Sequence, residues 1–151
     1  MASDVQRTEE STFRAYLDAV GLHSMAGATA AGLQPTEWYA LSQLASAGAL
    51  TSGQLSARIG LTTGATTRLI DRLEQVGYVR RVDDPDDRRK VVVEPVAEAL
   101  AGIGALVAPA RSKIAEILDH YTPEQRELLF DYFARATPAF QEATEQIRSQ
   151  N

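Results

Sequence analysis

Leu61-Thr62-Thr63-Gly64-Ala65-Thr66-Thr67-Arg68-Leu69-Ile70-Asp71-Arg72-Leu73-Glu74-Gln75-Val76-Gly77-Tyr78-Val79-Arg80-Arg81 is the stretch on which the fold turns. Ala65, Leu69, Leu73 and Val76, with Ile70 alongside, recur at the three- and four-residue spacing of one helix face. The other side carries Thr63, Thr66, Thr67, Arg68, Asp71 and Arg72. Thr62 or Thr63 can cap this helix, and Gly77 ends it. Just upstream, residues 50–60 form a shorter helical pattern with Thr51 or Ser52 as its cap. Leu55 and Ile59 face inward there, Gly60 suits a left-handed helix end, and Leu61 plugs the turn. Two helices joined by a tight glycine turn are a helix-turn-helix.

The second helix has the chemistry of a groove reader. Short hydroxyl side chains and Gly64 at its start let the helix end approach base edges. Hydroxyls and helix N–H groups bind phosphate, and arginines reach guanine or the backbone. A cap followed by a solvated polar face would show the same residues, so the downstream sequence has to discriminate. It continues into a hairpin, with β-rich residues 78–82 and 90–94 flanking a turn-forming tip at residues 83–89. Four acids at that tip would repel DNA by themselves. Arg88, Arg89 and Lys90 stand on its far side, and Asp87 is placed to hold a neighbouring arginine while a guanidinium projects into a narrow minor groove.

Here the sequence resembles the MarR (multiple antibiotic resistance regulator) family. Residues 61–81 look like that family's recognition helix and first wing strand. Asp84-Pro85-Asp86-Asp87-Arg88-Arg89 followed by Val91-Val92-Val93 resembles its wing signature. The sequence departs at Glu94-Pro95-Val96, where the family has a Leu-Thr step into the next helix. The resemblance implies a homodimeric winged helix-turn-helix transcription regulator of a pseudo-palindromic operator, acting as a repressor released by a small aromatic or anionic ligand. Thr63, Thr66, Thr67 and Arg68 would enter the major groove, and Ser52, Thr62 and Gly64 would lie against the DNA beside them. Arg88, Arg89 and Lys90 would belong to the wing, with Arg89 in the minor groove and Asp87 orienting the wing arginines. Arg72 would contact phosphate or pair with a wing Asp. Tyr16, His23, Trp38 and Tyr39 would line the ligand pocket, although core packing also accounts for Tyr16 and Trp38.

The fold expected is mainly α with a small β-hairpin wing. Residues 34–95 make the DNA lobe, and residues 1–33 and 96–151 the dimerisation helices. A first helix is expected from Thr8 to about Ala31, carrying Phe13, Tyr16, Leu17, Val20 and Met25, with Gly21, Gly27 and Gly32 predicting a ragged end after Val20. Gln34-Pro35-Thr36-Glu37 starts a second helix. From Val96 a heptad stripe runs through Leu100, Ile103, Val107, Ala110, Ile114, Ile117 and Tyr121. A second stripe follows at Leu129, Phe133, Ala136, Phe140, Ala143 and Ile147, predicting an antiparallel helical hairpin with possible kinks at Pro109 and Pro138.

The 151 residues fit one domain, and the net charge of −5 is unevenly spread. Residues 51–93 hold eight basic against six acidic side chains, so the basic charge gathers where the helix-turn-helix lies. The absence of cysteine excludes disulfides and thiolate metal sites. The polar start, Met1-Ala2-Ser3-Asp4-Val5-Gln6-Arg7-Thr8-Glu9-Glu10, lacks a signal-peptide core, and no apolar run spans a bilayer, so no membrane partner and a cytoplasmic location are expected. His23 and His120 stand apart from any metal-ligand or catalytic spacing, so neither metal, cofactor nor enzyme activity is expected. A winged-helix protein-interaction module without DNA binding is the alternative, motivated by the net charge and the wing acids.

Overall fold

The computed structural model describes the backbone of residues 2–150 and the side chains of residues 6–150. The side chains of Met1 to Val5, part of the polar start, lie outside the described residues, as does Asn151. In chain order the elements are α1 (Ala2–Ala30), α2 (Pro35–Ala47), β1 (Leu50–Thr51), α3 (Ser52–Ile59), α4 (Thr63–Gln75), β2 (Val79–Asp83), β3 (Val91–Pro95), α5 (Ala97–Leu118) and α6 (Pro123–Ser149). The three strands form one antiparallel sheet in the order β1-β3-β2. The chain divides into two compact units, the first running to Leu106 and the second starting at Val107.

The first unit holds the core. Leu41 and Leu44 of α2, Leu55 and Ile59 of α3, and Leu69, Ile70 and Leu73 of α4 pack with Leu50, Val79 and Val93 from the sheet. Each helix supplies the apolar face that its spacing predicts. Val76 is the exception, since it lies past the end of α4 and is exposed. Leu100 and Ile103, in the first turns of α5, pack against this same core, so that helix begins as part of the DNA lobe.

Caps define the helix starts. The Glu37 carboxylate accepts the Gln34 N–H at 2.8 Å, a reciprocal bond at the start of α2. Thr51, not Ser52, caps α3, and its hydroxyl accepts the Gln54 N–H at 3.2 Å. Thr62, not Thr63, caps α4, accepting from Ala65 N–H at 3.3 Å. Gly60 ends α3 at φ +69°, in the left-handed region where a side chain is strained, so the turn between the two helices needs glycine.

Two expectations change. The first helix does not fray after Val20, because α1 continues without a break to Ala30. Packing explains the continuity. Gly27 is buried, and a Cβ there would come within 2.8 Å of the Trp38 ring, so glycine lets α2's tryptophan lie directly on the α1 backbone. The sheet has a third strand that no hairpin pattern foretold, since β1 is only two residues long and pairs Leu50 with Val93 and Thr51 with Val92. The apolar stripes of α5 and α6 are partly covered: Leu100, Ile103, Val107 and Leu129 are half-buried, while Ile114, Ile117, Phe133, Phe140 and Ile147 are exposed. No residue of either helix is fully buried, so part of both stripes is left uncovered. Both Pro109 and Pro138 sit inside their helices without ending them.

The Gly27–Trp38 contact can be tested directly. Gly27→Ala forces the ring to move, and the unfolding midpoint is expected to drop by the equivalent of about 1–2 kcal/mol, with a shift in tryptophan emission. Unchanged stability and emission would mean that the ring has room to spare.

Candidate nucleic-acid interface

The inner face of α4 determines its outer face. Leu69, Ile70 and Leu73 are buried, so Thr63, Gly64, Thr67, Arg68 and Asp71 point outward. Thr66 falls on the buried side. It is 0% exposed and its hydroxyl donates to Thr62 O at 3.0 Å. This corrects the expectation that Thr66 meets DNA, because a fully buried side chain cannot touch a base edge. It packs α4 onto the lobe.

The hydroxyls at the start of α4 have different capacities. Thr62 accepts a helix N–H, which leaves its O–H available as a donor. Thr67 donates its O–H to Thr63 O at 3.0 Å, so it offers a methyl group and lone pairs outward. At Gly64 an added Cβ would meet nothing nearer than Arg68 Nη1 at 3.8 Å, so this glycine is not demanded by packing within the chain. Ser52 is half-buried in the first turn of α3.

The wing tip uses its acids internally. Asp84 Oδ1 accepts from the backbone of Asp86 at 2.8 Å and of Asp87 at 3.3 Å. Asp84 N–H donates to Lys90 O, and Lys90 N–H to Asp87 O, closing the loop. Asp87 Oδ1 accepts from both the backbone and Nε of Arg89, at 3.2 and 3.0 Å. Arg89 Nη2 also donates to Asp87 Oδ2 at 3.4 Å, so one edge of the guanidinium is turned onto Asp87, while the side chain stays 91% exposed. Lys90 Nζ lies 3.8 Å from Asp87 Oδ2. The side-chain hydrogen bond from Arg89 holds the Asp87 carboxyl below its ordinary range, helped by the Arg89 backbone N–H.

Other basic residues are accounted for one by one. Arg72 Nε lies 3.9 Å from Glu37, which removes the wing-Asp partner expected for it. Arg80 is paired with Glu94 directly across the sheet, Nε to Oε1 at 2.6 Å. Arg81 reaches from β2 back to α4, donating to Asp71 at 2.5 Å and to both oxygens of Glu74. Partial burial works against the Arg81 charge, but the bonds to Asp71 and Glu74 outweigh it and raise its pKa. Sequence spacing offered a signal for this contact that went unread: Asp71 and Glu74, three apart, share a helix face. Among the described residues, Arg58, Arg68 and Arg88 make no ion pair.

Tyr16, His23 and Tyr39 are exposed, and Trp38 is half-buried on α1. Among the described residues, no group of His, Asp or Glu is arranged to hold a metal ion. No helix among them is long and apolar enough to cross a membrane.

Comparison with known proteins now decides the family. Residues 31–90 match the sequence model of the MarR family. An uncharacterised HTH-type transcriptional regulator of Bacillus subtilis, YcgE, is 36% identical over 97% of this chain and 95% of its own. The chain belongs to the MarR family. A MarR family protein from Bacillus stearothermophilus has a similar solved structure, with a TM-score of 0.66, 25% identity and coverage of 95% of this chain and 99% of that one. The B. subtilis protein YusO has the same fold, with a TM-score of 0.65 at 20% identity over 92% of this chain and 99% of its own. This MarR-family chain is thus a DNA-binding transcriptional regulator with a winged-helix lobe.

The Asp87–Arg89 contact makes a pH prediction. The carboxyl pKa is depressed in the folded wing, so the contact's contribution is complete above the ordinary carboxylate range. It is lost only as pH falls through the depressed value. A carboxylate NMR titration should place the Asp87 midpoint below those of exposed aspartates, and Arg89→Ala should move it up. A midpoint in the ordinary range would show the contact to be absent in solution.

Proposed function

We propose that this regulator is a homodimeric repressor that binds a pseudo-palindromic operator and is released by a small ligand. The common exposure of two DNA-facing elements carries this reading. Thr63, Thr67 and Arg68 line the outer side of α4, and Arg88 and Arg89 project from a wing in which Asp84 and Asp87 are engaged within the turn. In this reading α4 enters the major groove and Arg89 the adjoining minor groove, with Thr62, Gly64, Arg88 and Lys90 against the backbone. Net negative charge does not oppose it, because residues 51–93 hold eight basic against six acidic side chains, and Asp71, Glu74 and Asp87 are each paired with an arginine.

Dimerisation is supported by uncovered apolar surface. Phe13, Tyr16, Leu17 and Val20 are exposed on α1, Ile114 and Ile117 on α5, and Phe133, Phe140 and Ile147 on α6. Isolated exposed apolar residues are ordinary, but periodic stripes on three helices point to a partner surface. Two copies would also match two half-sites about one helical turn apart. Residues 1–33 and 96–151 are proposed as the dimerising parts, with the start of α5 shared with the lobe.

An aromatic or anionic effector would meet Tyr16, His23, Trp38 and Tyr39. Tyr16, Val20, His23 and Gly27 follow one another along one face of α1, and Trp38 lies on Gly27 at its end. The chain works by binding and release, with no catalytic step.

Two experiments test the proposal. Operator fragments selected from genomic DNA should bind Arg89→Ala about 1–3 kcal/mol more weakly, while the isosteric Thr66→Val keeps its affinity. Equal binding by Arg89→Ala with an intact fold would remove the wing contact, and loss in Thr66→Val would place that threonine at the interface. Sedimentation should show a dimer that Phe140→Glu dissociates, whereas a wild-type monomer at every concentration would overturn the dimer.

A further inference from the structure

Arg81 is a basic residue of the wing that faces away from the wing tip and back onto α4. Its guanidinium donates to Asp71 at 2.5 Å and to Glu74, whose other oxygen accepts the Arg81 backbone N–H at 3.0 Å. The strand order gives the second bond its meaning. β3 is central and β2 is an edge strand, so alternate N–H groups of β2 have no strand to pair with. Glu74 takes one of these, and its other oxygen holds the same residue's side chain. The wing strand is thereby tied to the recognition helix at both main chain and side chain, through one residue.

The helix partners matter as much. Asp71 follows Thr67 by four residues and Gly64 by seven, so it lies on the outward face of α4 that presents Thr67. Left alone, that carboxylate would oppose a phosphate backbone along the surface offered to DNA. Arg81 supplies the compensating charge from the side, with its donors directed at protein carboxylates. Its neighbour Arg80 is engaged with Glu94 in the same way. The wing's arginines therefore divide into two kinds. Arg80 and Arg81 at the base serve the protein, and Arg88 and Arg89 at the tip face outward.

We propose that Arg81 is a positioning residue for DNA binding: by gripping Asp71 and Glu74 it sets the wing at a fixed angle to α4, so that helix and wing engage adjacent grooves in one register. It does so without touching DNA. The proposal rests on the assignment of α4 and the wing tip to the two grooves.

The test compares wild type, Arg81→Gln, and Glu74→Ala, which removes the grip from the helix side, on a selected operator fragment. Hydroxyl-radical footprints and affinity against salt are the readouts. Arg81→Gln is expected to lose tenfold or more in affinity with an unchanged salt slope. It should lose protection of the flanking minor groove while keeping that of the major groove at saturation. Glu74→Ala should lose the same flanking protection. A salt slope reduced by about one in Arg81→Gln, with Glu74→Ala keeping the flanking protection, would make Arg81 a phosphate contact and overturn the proposal. So would an unchanged footprint. Amide exchange of the free protein supplies a readout independent of DNA. Residues 84–90 should exchange faster in Arg81→Gln while α3 and α4 stay protected, and uniform acceleration across the lobe would mean general destabilisation and refute positioning. A wild-type protein that protects no site would sink the groove assignment instead, leaving the exchange measurement to judge the tie between wing and helix.

Discussion

Burial of Leu69, Ile70 and Leu73 against α2, α3 and the sheet orients everything that α4 presents to the outside. A helix with one face locked in a core has no rotational freedom left, so the exposure of Thr63, Thr67 and Arg68 follows from packing. Thr66 shows how strict this is. One residue from Thr67 is 100° around the helix, and that step carries a hydroxyl from the surface to full burial. The turn at Gly60 and the cap at Thr62 then place the start of α4, with its unpaired N–H groups, at the edge of the lobe.

Electrostatics in the wing works by pairing. Four aspartates in five residues would make a poor DNA ligand if they were solvated and free. Asp84 accepts two backbone N–H groups and Asp87 anchors Arg89, so two of the four shape the turn and hold one of its cations. The same economy governs α4, where Asp71 and Glu74 are matched by Arg81 and not left on the surface. These are exposed pairs, each of small energetic worth. Their value lies in geometry, since a bidentate arginine fixes direction as well as distance.

The helices outside the lobe obey a different constraint. The side chains of Phe133 and its neighbours Phe130 and Tyr132 meet edge to face, with ring centroids 6.1 and 5.7 Å apart, yet all three stay exposed. The cluster leaves about half of its area in water, at a cost of roughly 25 cal/mol per Å². The apolar periodicity of α1, α5 and α6 is consequently a property that one chain does not use up.

Helix-turn-helix, wing and flanking helices were legible in the amino-acid sequence, because helix and strand periods, the glycine at position 60 and the charged turn at residues 83–89 are local properties. Family membership was legible for the same reason, as the recognition helix and wing signature are contiguous runs. Three matters needed the tertiary structure. Which threonines of α4 face outward depends on the contact angle of the core, and an isolated helical pattern leaves that angle open by a residue. Strand β1 owes its existence to pairing with β3 some forty residues away, too short a segment to show any period of its own. The partners of Arg72 and Arg81 were settled by which carboxylate the fold brought close. Charge alone cannot choose between a wing aspartate, a capping glutamate and a phosphate, because a cation at the surface is satisfied by whichever anion geometry delivers.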